Sequence, residues 1–132
     1  IKDLMEIRFL IEPSIAAMAA IRADETDIQN ILTACENAEK LLLANKNHAE
    51  KDIAFHTAIA LSSKNIVVPK LVPIINRSIP LIRESAKFTM RDETIEIHRE
   101  IADAIAAQDA VRAHDAMYLH LIYNRKHIKS IN

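Results

Sequence analysis

Three of the chain's six histidines fall where a helix would turn them toward a core. His98 shares a helical face with Ile101, Ala102 and Ile105, and His120 shares one with Ala113, Ala116 and Met117. His56 shares one with Ala49, Ile59 and Ala60, inside the stretch EKDIAFHTAIA at 50 to 60. Asp52 precedes His56 by one turn on the same face. Buried polar groups without partners cost several kcal/mol each, on the order of 2–7, so this pattern asks for compensation. One carboxylate oxygen and three imidazole nitrogens suit a divalent transition metal, Zn²⁺ or Ni²⁺ first, Mn²⁺ or Co²⁺ next. The mixed donor set disfavours calcium. Four protein ligands would close a tetrahedral site, whereas an octahedral one would keep two positions open. The plainer alternative is a local Asp52–His56 pair beside individually satisfied core histidines. His48, His114 and His127 read as surface or rim residues.

The elements must bring these side chains to one height. Asp109 marks a turn, with His98 eleven residues before it and His120 eleven after. At about 1.5 Å per residue, each imidazole lies roughly 16 Å from that turn, so an antiparallel hairpin makes them level. If the face carrying Asp52 and His56 meets that hairpin, all four groups converge. Helical periodicity runs through the rest of the chain. A first helix over about 3–22 carries an apolar stripe of Leu4, Ile7, Ile11, Ile15, Met18 and Ile21, with Pro13 expected to kink or divide it. Thr26 and Gln29 form a capping box for a second helix ending near Leu43. Asn47 caps a third, which ends between Ser62 and Asn65. A fourth segment, 66–88, is bent or broken by Pro69, Pro73 and Pro80. Helices over about 92–107 and 110–128 complete an all-α antiparallel bundle of six or seven helices in one domain, 1–132, enclosing a metal-containing pocket.

Composition narrows the function. The 132 residues include no glycine, which excludes phosphate-cradling loops, dinucleotide fingerprints and EF-hands and favours helices with short polar connections. With 17 basic and 18 acidic residues and no basic block, the chain is a poor nucleic-acid binder by itself. The single cysteine, Cys35, reads as a buried core thiol and permits a reducing compartment. The apolar runs are too short to span a membrane. A metal-dependent hydrolase is one alternative, since a metal with open positions activates water. Against it, no general base stands in a motif, Glu50 and Glu96 are expected on the surface, and His114-Asp115 is a lone dipeptide. A bundle with a purely structural metal is another.

The stretches EIRFLIEPSIAAMAA (6–20), DIAFHTAIALSSKN (52–65) and HREIADAIAAQDAVRAHDAMYLHL (98–121) resemble the FCD domain, the effector-binding half of FadR-type GntR transcription regulators. The resemblance covers nearly the whole chain. It implies a non-enzymatic, cytoplasmic sensor domain with a winged helix-turn-helix DNA-binding domain N-terminal to it. It also implies a homodimer and no membrane. Metal ligands at the matching positions would be Asp52, His56, His98 and His120. The effector would be a small hydroxy, sugar or dicarboxylic acid, held with the help of Arg8 and, on the fourth helix, Asn76, Arg77 and Arg83. Many family members have proline after the asparagine matching Asn65. Here Ile66 follows, which leaves that wall of the pocket less defined.

Overall fold

The computed structural model describes residues 2–85 and 91–127, apart from the side chains of 82–85 and 127. Six helices make up the described chain: α1 (Lys2–Arg22), α2 (Glu25–Leu43), α3 (Ala49–Ser62), α4 (Val68–Ser85), α5 (Arg91–Ala106) and α6 (Ala110–His127). α1 is the central element, packed along α6 and also touching α3, α4 and α5. α2 lies against α3 and α5, and α5 and α6 form the expected hairpin. The core gathers Ala16, Ala19 and Ala20 of α1, Ile31 and Cys35 of α2, Phe55 and Ile59 of α3, Ile101 and Ile105 of α5, and Met117 of α6. Three fully buried alanines on α1 give its neighbours close approach, and that lets one helix serve four partners. No helix among the described residues is long and apolar enough to cross a membrane.

Several local expectations are corrected. α1 passes through Pro13 as one helix. The ring is buried, so packing on several sides outweighs the one lost backbone bond. Its buried face is also rotated from the expected stripe: Ile7 and Ile21 are 40% and 65% exposed, while Arg8 and Glu12 are inside. α2 starts earlier than Thr26. Asp24 is the cap, accepting from Asp27 N at 2.8 Å, and Asp27 Oδ2 accepts from Asp24 N at 3.0 Å. A carboxylate at the last extended residue wins over a hydroxyl two residues inside the helix. At α3, Asn47 Oδ1 accepts from Ala49 N at 3.0 Å, but the flanking position belongs to His48.

α4 is one helix from Val68 despite its prolines. Asn65 Oδ1 accepts from Val67 N at 2.9 Å and Val68 N at 3.3 Å. Pro69 then occupies the first turn, where an N–H has no helical acceptor anyway. Lacking glycine, the chain turns at three helix ends through Asn45, Lys64 and Gln108, with φ of 54°, 56° and 56°. The α5–α6 turn is further fixed by Asp109, whose Oδ1 accepts from Arg112 N at 3.1 Å. Arg112 Nε and Nη2 also reach the two oxygens of Glu100 at 2.8 and 2.7 Å, which clamps the hairpin register.

Candidate metal and anion site

His56 on α3, His98 on α5 and His120 on α6 are all buried, and one potential ligating nitrogen from each lies within 4.8 Å of the others. Ring centroids are 5.0 Å apart for His98 and His120, as equal distance from Asp109 requires. They are 5.5 Å apart for His56 and His120 and 6.3 Å for His56 and His98. Phe55, fully buried, backs the His98 ring at 4.8 Å between centroids. Asp52 lies outside this triangle of mutual approach. Its Oδ2 accepts from His48 Nδ1 at 2.6 Å, while its Oδ1 is buried and makes no hydrogen bond within the protein. His48 is thus a rim residue, within the expected surface-or-rim reading, and its ring holds one oxygen of the acid. His114, by contrast, lies on the surface, where it pairs with its neighbour Asp115 and stacks on Tyr118.

Glu12 is the residue that sequence reasoning missed. It is buried on α1, its Oε1 accepts from His56 Nδ1 at 2.7 Å, and its Oε2 accepts from Arg8 Nε. Arg8 is itself 1% exposed, and neither Nη1 nor Nη2 has a partner within the protein. A signal was present in the sequence. Met5, Arg8, Glu12, Ile15, Ala16 and Ala19 lie on one helical face, and its apolar members nominate the charged pair for the interior.

Electrostatics follow from this burial. Burial alone would raise the Glu12 carboxyl, but Arg8 and His56 together overrule it and hold it at about 2. Burial drives His98 down to about 4, with the Asp52 charge opposing and His56, His48 and Arg8 reinforcing. Burial likewise pushes His120 well below the usual imidazole range, with His98, His56 and Arg8 adding to it. Neutral imidazole is the form that ligates a metal. The residues fit a divalent ion: three convergent nitrogens, plus two buried atoms, Asp52 Oδ1 and His98 Nδ1, without partners in the protein.

The anion-binding expectations divide. Arg8 is joined to the histidine cluster through Glu12, whose other oxygen bonds His56. Asn76 on α4 buries an unpaired Oδ1. Arg77, one position farther round α4, is exposed. The side chain of Arg83 lies outside the described residues. Glu50 and Glu96 are exposed, as expected.

Residues 3–122 match the family model described as the FCD domain. The chain is 31% identical over 126 residues to an uncharacterised HTH-type transcriptional regulator of Bacillus subtilis, YcbG, covering 95% of this chain and 53% of that protein. It is 31% identical over 140 residues to the galactonate operon transcriptional repressor of Escherichia coli, covering 99% of this chain and 58% of that one. The solved structure of Streptococcus agalactiae GntR superposes with a TM-score of 0.82 at 36% identity, over 95% of this chain and 57% of that chain. The chain thus spans about half the length of the curated relatives it matches.

Proposed function

This chain belongs to the FCD domain family of GntR-type transcription regulators, a regulatory and not an enzymatic family, and on that premise we propose that it senses a small organic acid. The acid is held between a divalent metal and Arg8 inside the bundle. The observation that carries this reading is the state of Arg8. Its guanidinium is fully buried, only Nε is matched by Glu12, and the two remaining nitrogens make no bond within the protein. A planar fork of donors left free in a buried place is suited to a carboxylate. Asn76 Oδ1, also buried and unpaired, accepts from a hydroxyl on the same ligand.

Charge supports a monoanion. With the imidazoles neutral, the buried cluster sets two carboxylates, Glu12 and Asp52, against one guanidinium, leaving one negative charge. A divalent cation held by His56, His98, His120 and Asp52 turns that to one positive charge, which a single carboxylate neutralises. When bound, the metal supplies a Lewis-acidic contact for the carboxylate or an adjacent hydroxyl. The residues of the chain, Arg8 and Asn76, would orient the acid. A hydroxy or sugar acid offers both groups, and the Escherichia coli relative is named for a galactonate operon.

Binding shifts the bundle only by its differential affinity for two arrangements. The reading places those arrangements upstream of a winged helix-turn-helix domain that lies N-terminal to this chain, in a cytoplasmic homodimer that reads two half-sites. The test is elemental analysis of protein purified without chelator, then calorimetric titration with galactonate and related hydroxy acids, for the wild type and Arg8→Met. The expected result is about one Zn²⁺ or Ni²⁺ per chain and acid binding that Arg8→Met abolishes. Metal without any carboxylate binding would leave the cluster as a staple between helices and refute the sensing role.

A further inference from the structure

We propose that Glu12 is a positioning residue whose single carboxylate both selects the metal-ligating tautomer of His56 and aims the Arg8 guanidinium. This rests on the metal reading above and adds a residue and a role to it. An ionised carboxylate only accepts hydrogen bonds. Oε1 faces His56 Nδ1 at 2.7 Å, so the imidazole proton sits on Nδ1 and the lone pair on Nε2. That nitrogen is then free for the triangle formed with His98 and His120. Oε2 faces Arg8 Nε, which fixes the guanidinium plane and leaves Nη1 and Nη2 for a ligand. Glu12 is buried, so water does not compete for either contact. The carboxylate comes from α1, which otherwise contributes nothing to the triangle, so it ties the central helix to a histidine on α3.

Glu12→Gln separates this role from space filling. The amide has nearly the same shape but one acceptor and one donor end. With its NH₂ toward Arg8 Nε, donor meets donor. With its NH₂ toward His56, Nδ1 must accept, the proton moves to Nε2, and the ligating lone pair is lost. Glu12→Asp retains two acceptors at a shorter reach.

The experiment uses the full chain with Zn²⁺ alone as the probe. Nitrogen-15 NMR of the metal-free protein reads the His56 tautomer, and competition with a chromophoric chelator reads zinc affinity. Circular dichroism confirms that each variant is folded. The expected result is an Nδ1–H tautomer in the wild type and a shift toward Nε2–H in Glu12→Gln. Zinc affinity should fall about 10–100-fold in that variant and partly recover in Glu12→Asp. A folded Glu12→Gln with an unchanged tautomer and zinc affinity equal to wild type overturns the proposal while leaving the metal site standing. A wild type that binds no Zn²⁺ overturns the metal reading as well. If Glu12→Gln does not fold, the wild type still decides: an Nε2–H tautomer of His56 there refutes the proposal without any variant.

Discussion

Acidifying the metal-free protein should destabilise it through His98 in a window that no surface histidine reaches. Burial holds His98 at about 4, against a value near 6.5 in an unfolded chain. The folded-state value is depressed, so between those limits the unfolded state binds the proton and the native state refuses it. Stability is full above about pH 6.5 and is lost as pH falls toward 4. At pH 5 the linkage amounts to about 2 kcal/mol, rising to about 3 kcal/mol at pH 4, a large share of an ordinary domain stability of roughly 5–15 kcal/mol. His120 is shifted in the same sense and adds to the loss. Glu12 does not confuse the window. Its depressed value of about 2 means its contribution is intact above about pH 4.5 and disappears only as pH falls through 2. The assay is urea unfolding after chelator treatment, at pH 7.5 and pH 5, for the wild type and His98→Phe. The replacement keeps an aromatic ring against Phe55 and removes the titration. The wild type should lose about 2 kcal/mol more than the variant over this interval. Equal losses in the two proteins would refute the claim that His98 is buried neutral.

Three further outcomes test the fold that positions the site. Asp24→Ala should cost about 1 kcal/mol in urea unfolding, whereas Thr26→Ala should stay within about 0.5 kcal/mol, because Asp24 caps α2. Gln108→Gly should stabilise by about 1 kcal/mol and raise the thermal midpoint by about 3 °C, since Gln108 holds a φ of 56° at the end of α5. Phe55→Ala should cost about 3–5 kcal/mol, as the ring is fully buried, and should also weaken zinc binding in chelator competition, because it backs His98.

The histidines were legible in the sequence because each sits among apolar residues at helical spacing, and because equal distances from Asp109 put two of them level. Arithmetic of that kind survives folding: the turn, the hairpin and the 5.0 Å ring separation follow from it. Helix boundaries were legible only to within a few residues. Thr26 and Asp24 both offer a capping oxygen, and the choice depends on where the backbone leaves the extended region, which local sequence does not decide. The prolines misled for a related reason. Pro13 and Pro73 each remove one backbone bond, but the burial of α1 and α4 against their neighbours is worth more than that bond.

The face of α1 failed for a different reason. Counting isoleucines assumes that a buried face is an apolar face, and that assumption turns Ile7 and Ile21 inward and leaves Glu12 off the buried stripe, while Arg8 is brought inward only by the family resemblance. The structure reverses them because each charge finds its counterpart inside: Arg8 on Glu12, and Glu12 on His56. Among the described residues, the buried side-chain atoms without a hydrogen-bond partner are Arg8 Nη1 and Nη2, Asp52 Oδ1, Asn76 Oδ1 and His98 Nδ1. Sequence pattern or family resemblance points to each of these four residues for a ligand site. Unpaired buried polar atoms cost about 1–3 kcal/mol each, so scattered through a core they would be defects. Here they fall on four helices, Arg8 on α1, Asp52 on α3, Asn76 on α4 and His98 on α5, and the proposed metal and acid would supply the partners these atoms lack.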